Sequence, residues 1–356
     1  MKRIDNGIVF SYDINRIMEG QNALGFSYND KGLIVPNANQ IQNLRDDFEK
    51  DVNRIFEGKV TILSENDMDS YLNDSIENDL DYPIVTLDRI YYKGNGENDI
   101  ILDCTRLQNS SKLVNRNNPN DPNGVEKQII EISRRLKQQG FNKVLLVDDV
   151  VFSGNVLRTL INAFKKNGII VTGIRTAIST EDAYDYFNDK LERGLRCGCI
   201  LGKNVIDQVC ERDFYFGIAQ SGISIRSNDG KILKSPYFKP FGNPKERASI
   251  PKEHENFFSN GCLIRSIFLW KCIEDNSKRK ILIRDLPEEI INTKQDERVI
   301  NVLRRELIYE ENVADRSNGE CRWFALWRWS GNGCKKIRKA DSWKRKCISL
   351  WCWKRI

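Results

Sequence analysis

The 356-residue sequence has a single histidine, His254, and no long apolar run. One histidine argues against a serine or cysteine triad, which needs an imidazole beside its nucleophile. The longest apolar stretches, such as Val144–Val147 and Ile267–Trp270, fall far short of the roughly 20 residues that cross a bilayer, so no membrane span is expected. The polar start, Met1–Asn6, lacks the apolar segment of a secretory signal. We therefore expect a cytoplasmic protein.

Cysteine is present, but not in a pattern that is typical of metal binding. Cys197 and Cys199, with Cys210, lack a second closely spaced pair, and the one histidine is distant in sequence. Zinc sites usually combine such pairs, so we expect mainly free thiols rather than zinc ligands or disulfides. The sequence also lacks the Gly-Lys-Ser/Thr ending of a Walker P-loop and the glycine triplet of a dinucleotide-binding fold, which excludes both classes.

Positive charge is concentrated at the carboxyl end. Segment 320–356 holds eleven of the 56 Lys and Arg residues and two of the 50 Asp and Glu, so the remainder has 45 basic and 48 acidic residues and a net charge of −3. The same segment holds six of the seven tryptophans. Basic residues interleaved with aromatics suit an arm that binds nucleic acid or a membrane surface, whereas an ending whose composition differs from the body is also typical of a shifted reading frame. Nucleic-acid binding is expected only through this tail.

Ahead of the tail, apolar patterns of helical spacing alternate with short apolar runs that predict strands. The alternation predicts an α/β fold with an open, mostly parallel sheet. Helices are predicted at 40–56, 126–139, 155–166, 182–191 and 262–273, and strands at 59–63, 83–87, 99–103, 143–149, 169–178 and 280–283. We divide the chain into an N-terminal region of helix and strand (1–80), a core (81–230), a C-terminal extension (231–319) and the tail (320–356).

The segment from Val144 to Leu157 is the most informative. Its run Val-Leu-Leu-Val predicts a parallel strand that is covered on both faces. Asp148 and Asp149 follow at the carboxyl end of that strand, where open α/β sheets bind ligands. Ser153-Gly154-Asn155 then predicts a tight turn into a helix, whose free N–H groups attract phosphate.

These residues resemble the signature with which type I phosphoribosyltransferases bind 5-phosphoribosyl 1-diphosphate (PRPP). The resemblance implies that Asp148 and Asp149 hold the ribose hydroxyls and act as the catalytic pair, and that the turn wraps the 5′-phosphate. The turn consists of Phe152, Ser153, Gly154, Asn155 and Val156. Phe152 stands where some purine enzymes have an acid, and Val156 where a threonine often contacts the phosphate.

Two alternatives apply to the same segment. A plain buried strand would bury two adjacent carboxylates at a high cost in free energy. A response-regulator receiver domain also has a strand that resembles Val144–Asp149, and Lys239-Pro240 resembles its late Lys-Pro pair. The receiver needs a phosphoacceptor aspartate at the end of a later strand, and 191–199, where its spacing would put that residue, contains none.

The resemblance also implies partners for the rest of PRPP. Basic side chains of the family close over the diphosphate, and the candidates here lie at strand ends and in the polar loop 108–124: Arg89, Arg106, Lys112 and Arg116. Phe214 or Tyr215 would stack on a base if 213–217 were the family's last strand, whereas a core strand of aromatics is the alternative. Mg²⁺ would arrive with PRPP, with no ligand directly from the protein.

The sequence thus predicts a phosphoribosyltransferase-like enzyme, a pentosyltransferase that displaces diphosphate from PRPP with an unknown acceptor. The alternative is a module that senses PRPP or a nucleotide without turnover. The C-terminal extension resembles that of phosphoribosyltransferase-like proteins found beside components of bacterial antiphage systems. That resemblance implies an effector role in defence and partner proteins from the same operon.

Overall fold

The computed structural model describes residues 1–20, 25–77, 82–92, 94, 99–110, 112–116, 118–121 and 123–307, together with 329–330 and 333–334. The chain forms two compact units, Met1–Glu311 and Asn312–Ile356. In the second unit, two short strands pair antiparallel, and the rest of the predicted tail 320–356 lies outside the described residues. The predicted boundaries at 80, 230 and 319 stay predictions, and the strands of region 1–80 join the same sheet as those of the core.

The described part of the chain contains thirteen strands. In chain order they are β1 (Lys2–Ser11), β2 (Val60–Leu63), β3 (Ile84–Thr86), β4 (Ile100–Ile101), β5 (Thr105–Arg106), β6 (Leu113–Val114), β7 (Lys143–Val151), β8 (Ile170–Thr180), β9 (Leu195–Cys210), β10 (Ile223–Arg226), β11 (Ile232–Ser235), β12 (Trp329–Ser330) and β13 (Gly333–Cys334). The central sheet has the order β2-β1-β9-β8-β7-β3-β4, and all its neighbours pair in parallel. The predicted α/β class with a parallel sheet is confirmed.

Helices cover both faces of this sheet. The named α-helices are α1 (Ile14–Met18), α2 (Ala38–Ile55), α3 (Glu65–Ile76), α4 (Gly124–Gln138), α5 (Asn155–Lys166), α6 (Glu181–Lys190), α7 (Pro244–Ala248) and α8 (Glu255–Ser277). Strand β7 shows the layering, because its alternate side chains enter different cores. Leu145 and Val147 pack in the core that contains α2, α3 and α8, while Val144 and Leu146 pack in the core that contains α4, α5 and α6. The prediction that this strand is covered on both faces is confirmed.

Two predicted strands are wrong. The aromatic stretch 213–217 begins inside a 3-10 helix, Glu211–Phe214, and continues beyond it. Segment 280–283 leads into another 3-10 helix, Ile283–Asp285. Both sequences are apolar enough for a strand, but they pack against α8 and its neighbours as irregular chain. Apolar content alone does not distinguish the two outcomes.

The order of the strands defines a crevice at the carboxyl edge of the sheet. From β3 the chain passes outward to β4, and it then returns to the other side of β3 to build β7, β8 and β9 in sequence. The gap between the carboxyl ends of β3 and β7 is therefore a topological switch point, where open α/β sheets bind their ligands. No helix in the described part of the chain is both long and apolar enough to span a membrane.

Candidate functional site

The acidic pair lies at the carboxyl end of β7, beside the switch point. Asp148 Oδ1 accepts a hydrogen bond of 3.1 Å from the Asp149 N–H, and Asp149 Oδ1 accepts one of 2.8 Å from the Val150 N–H. Both residues are half-buried. Burial, and then the charges of Asp149 and Asp88, raise the pKa of Asp148 well above its usual range. A raised pKa means that the carboxylate lacks partners for its charge, and a ligand with hydroxyl donors would supply them.

Arg212 connects the acidic pair to Asp13, beyond the carboxyl end of β1. Its guanidinium lies 3.5 Å from Asp149 Oδ2 and also donates to Asp13, which lies just beyond the end of β1. The Arg212 N–H donates to the other Asp13 oxygen at 3.0 Å. Asp13 is fully buried, so this ion pair fixes the guanidinium, and the guanidinium in turn fixes one oxygen of Asp149.

Across the switch point, Asp88 organises the loop after β3. Its carboxylate accepts hydrogen bonds from the backbone N–H groups of Ile90, Tyr91 and Tyr92. Burial, and then the charge of Asp149, nevertheless raise the pKa of Asp88 to about 6. The loops after β3 and β7 therefore face each other with an excess of negative charge.

The turn after β7 has the predicted form. Gly154 has a φ of +68°, and a Cβ on it would lie 2.7 Å from the buried ring of Phe187, so glycine is required twice over. The Phe152 carbonyl accepts from Thr180 Oγ1 at 2.7 Å, and the Ser153 carbonyl accepts from the Arg158 guanidinium. Both carbonyls are thereby held by side chains.

The backbone N–H groups of the turn have no hydrogen-bond acceptors in the described part of the chain. This applies to residues 153–157, because the first hydrogen bond of α5 runs from the Arg158 N–H to the Gly154 carbonyl, at 3.0 Å. Consecutive unpaired amides at a helix N-terminus form an anion-binding site. Four of the five predicted turn residues supply such amides.

A cleft of about 440 Å³ adjoins this turn. Its walls include Asn155 and Val156 from the turn, and two arginines, Arg106 on β5 and Arg158 on α5. The structure thus brings the predicted Arg106 next to the phosphate turn. The Arg158 guanidinium also stacks on Tyr186, 4.5 Å from the ring centroid.

The other predicted diphosphate contacts are arranged differently. Arg89 is buried and forms a two-pronged ion pair with Asp103, with contacts of 2.7 and 3.2 Å. Lys112 is exposed on the loop before β6. Arg116 donates to Gln220 Oε1 at 2.6 Å and to the Cys104 carbonyl at 3.0 Å, and its charge lowers the pKa of Asp148 against the dominant effect of burial. Arg116 thus lies near the acidic pair, while Arg89 is committed to Asp103.

The structure corrects the predicted base contact. Phe214 is fully buried, and its ring packs against Phe10, Phe48 and Phe258, with centroids 5.1 to 5.7 Å apart. Tyr215 is also buried in the same core. Neither ring has a face open to a ligand, so the core interpretation of these aromatics is the right one.

Neither the described cysteines nor Lys239 has a hydrogen bond or ion pair with the acidic pair. Cys104, Cys197, Cys199, Cys210, Cys262 and Cys272 are buried free thiols, as expected. Among the described residues, no group of three or more His, Cys, Asp or Glu side chains is placed to hold a metal ion. The Lys239 ammonium binds Glu255 and Asn256, both at 2.9 Å, within the C-terminal extension. A receiver-like lysine contact with the acidic pair is thus not formed.

Three residues of the edge were not predicted as site residues: Asp13, Asp88 and Arg212. Each lies two residues beyond the end of a strand, namely β1, β3 and β9. Charged residues directly after apolar strands were the available signal, but β1 and β9 themselves were not predicted.

Searches of family models, curated proteins and solved structures found no match to the chain. Only the residues of the chain itself therefore indicate what it does.

Proposed function

We propose that the chain binds PRPP at the carboxyl edge of β7 and acts as a phosphoribosyltransferase-like enzyme that displaces diphosphate with an acceptor. The observation that carries the proposal is the sequence of groups along one short segment at the switch point. Two carboxylates lie near the carboxyl end of the strand, and a turn whose amides are unpaired in the described structure begins four residues after the second carboxylate. A ribose with a 5′-phosphate carries the complementary groups in the same order.

The turn suits the 5′-phosphate. Its free N–H groups and the positive end of α5 attract an anion, and Arg106 and Arg158 add two positive charges to the same cleft. The side chain of Val156 contributes no hydrogen bond, but the grip of such a turn depends on backbone donors. Binding of the phosphate would therefore not need the hydroxyl that other family members have at that place.

The acidic pair suits the ribose hydroxyls. A hydroxyl donates to a carboxylate without adding charge, so it stabilises Asp148 where another anion would not. The Arg212 guanidinium lies 3.5 Å from the Asp149 carboxylate, and this contact orients the carboxylate for a second hydroxyl. The excess of negative charge among Asp88, Asp148 and Asp149 would oppose a bare diphosphate. Mg²⁺ bound to PRPP would supply the compensating charge, without direct ligands from the protein.

A sensor without turnover is the second candidate, and two observations favour it. Arg89, at the place where a cation would meet the diphosphate, is neutralised by Asp103. Phe152 is 44% exposed beside the turn and offers no acid or base. A sensor would hold PRPP or a nucleotide through the same acidic pair and turn, and an enzyme serving as a defence effector would in addition consume PRPP.

The test is calorimetric titration of PRPP with Mg²⁺ into the full chain. We expect the Asp148→Asn/Asp149→Asn variant to lose at least tenfold in affinity, because amides are weaker acceptors for the ribose hydroxyls. The matched control is Asp46→Asn/Asp47→Asn, an adjacent exposed pair on α2 with the same change in charge, which should bind like the unmodified chain. Equal affinity in all three proteins would refute the site. Release of diphosphate then separates the enzyme from the sensor.

A further inference from the structure

A second cavity, of about 290 Å³, lies under the β10–β11 hairpin. Segments 118–120 and 287–289 form its other walls, together with Phe26, Arg116 and Gln220. The walls are tied together by backbone and side-chain bonds. The Ile232 N–H donates to Asn120 Oδ1 at 2.8 Å, and the Lys234 N–H donates to the Glu289 carbonyl at 2.8 Å. The cavity is therefore built into the hairpin and its two neighbouring segments.

Gln220, in the wall of this cavity, has a donor group without an acceptor among the described residues. Its Oε1 accepts from Arg116 at 2.6 Å, and because a guanidinium can only donate, this contact fixes which end of the amide is oxygen. The Nε2 group then has no partner among the described residues, although the side chain is only 8% exposed. Gln220 also has a φ of +63°, an unfavourable conformation for a non-glycine residue. Strained residues with unpaired polar groups are concentrated at binding sites.

Ser224, on β10, adds a second buried polar group without a partner. Its hydroxyl is 1% exposed and has no hydrogen bond in the described part of the chain. The Nε of Arg116 is buried and unpaired in the same sense. Three residues in the wall of one cavity thus each have a buried group that can donate and has no acceptor in the described structure. A buried donor without an acceptor costs free energy unless a ligand or water satisfies it.

The charges of the cavity favour an anion. Lys234 is 7% exposed, and its ammonium lies 3.6 Å from Glu288 Oε2, which is longer than a hydrogen bond. Arg116 contributes a second positive charge. Of the two carboxylates in the wall, Glu289 pairs with Lys231, which is not part of the wall. Two cations therefore face Glu288, and the net charge is +1. Phe26, Ile232 and Leu233 supply an apolar part of the wall. A bare inorganic ion would leave most of this space unfilled.

We propose that this cavity binds a small organic carboxylate with an apolar body. The carboxylate would accept from Gln220 Nε2, Ser224 Oγ and Lys234, and its body would pack against Phe26 and the hairpin. The single negative charge balances the +1 of the walls. The proposal does not depend on PRPP binding at the edge of β7.

The test is saturation-transfer NMR on the full chain with benzoate as the probe. Benzamide, the neutral compound of the same shape, and inorganic phosphate, which lacks the apolar body, are the comparison ligands. We expect benzoate to bind at least tenfold more tightly than either. Absence of benzoate binding, or equal binding of benzamide, would overturn the proposal.

Substitutions in the cavity wall test whether benzoate binds there. Lys234→Met should weaken benzoate at least tenfold, whereas Lys245→Met, the same change at an exposed lysine of α7, should leave binding unchanged. Gln220→Asn tolerates the positive φ but withdraws the amide, so it keeps the test valid if Lys234→Met fails to fold. Retention of full affinity in Gln220→Asn would overturn the proposal. Lys234→Met should bind PRPP like the unmodified chain, which separates this site from the PRPP site.

Discussion

The Arg212 guanidinium lies 3.5 Å from the Asp149 carboxylate and joins the end of β9 to the end of β7. Its other contact, to the fully buried Asp13, extends the connection to β1. Three strand ends of the central sheet are therefore held by one side chain. The arrangement makes Arg212 both a structural residue and the positioning residue of the proposed ribose site.

Arg212→Met should destabilise the chain by about 3–5 kcal/mol, because it leaves the buried Asp13 without its cation. The measurement is unfolding in urea. The control is Arg134→Met, which removes an exposed partner of Glu131 and should cost less than about 1 kcal/mol. A loss below about 1 kcal/mol for Arg212→Met would show that the buried ion pair is not formed.

Gly154→Ala tests the two reasons for a glycine in the turn, which are the positive φ and the close approach of Phe187. Gly140 also has a positive φ, but a Cβ there would meet open space, so Gly140→Ala measures the backbone cost alone, about 1–2 kcal/mol. At Gly154 the methyl group would collide with Phe187 as well, and we expect a larger loss in urea unfolding and PRPP affinity at least tenfold lower. Equal losses of stability in the two variants would contradict the close packing of the turn against Phe187.

Stability should depend on pH through Asp88. Burial and Asp149 raise its pKa from 3.8 to about 6, so the folded chain holds this proton more tightly than the unfolded chain does. The proton on Asp88 therefore stabilises the folded chain by about 2–3 kcal/mol. This stabilisation is fully present below about pH 4 and is lost as the pH rises through about 6.

Asp88→Asn, which cannot titrate, removes that contribution. The difference in unfolding free energy between Asp88→Asn and the unmodified chain should therefore shift in favour of the variant by about 2–3 kcal/mol between pH 4 and pH 7. Urea unfolding at a series of pH values measures it. A difference that is constant over this range would contradict the raised pKa.

Arg106→Met should weaken PRPP binding by about tenfold without a change in stability, since the side chain is exposed and lines the cleft beside the phosphate turn. Arg304→Met, at another exposed arginine, is the matched control for the loss of one positive charge. Calorimetry with PRPP and Mg²⁺ measures both. Equal affinity in the two variants would remove Arg106 from the site.

Much of the core could be predicted from sequence because β7 and its helices have clear periodicity. Strand β7 combines a run of apolar residues with a glycine turn, and α4 and α5 follow helical spacing. Strands β1 and β9 were missed for a physical reason. β1 has a charged first half ahead of the short run Ile8–Phe10, and β9 carries Gly198, Gly202 and a polar second half. The apolar run in each strand is therefore short.

The candidate site was predictable only where it is local in sequence. Asp148, Asp149 and the turn lie within nine residues of one another, so one motif contained them. Arg212 and Asp13 come together because β1 and β9 are neighbours in the sheet, and that pairing was not visible in either segment. A base contact by Phe214 or Tyr215 and a core position were both left open, because aromatic residues suit a core and a binding site alike. The packing against α2 and α8 decided for the core.

Hydrogen exchange at the turn tests the central claim most directly. The amides of 153–157 lack acceptors in the described structure, so they should exchange rapidly in the free chain. If PRPP binds as proposed, PRPP with Mg²⁺ should slow exchange in the peptide that covers 152–157, and Asp148→Asn/Asp149→Asn should abolish the effect at the same PRPP concentration. Unchanged exchange of this peptide at saturating PRPP would contradict the assignment of the turn as the phosphate site.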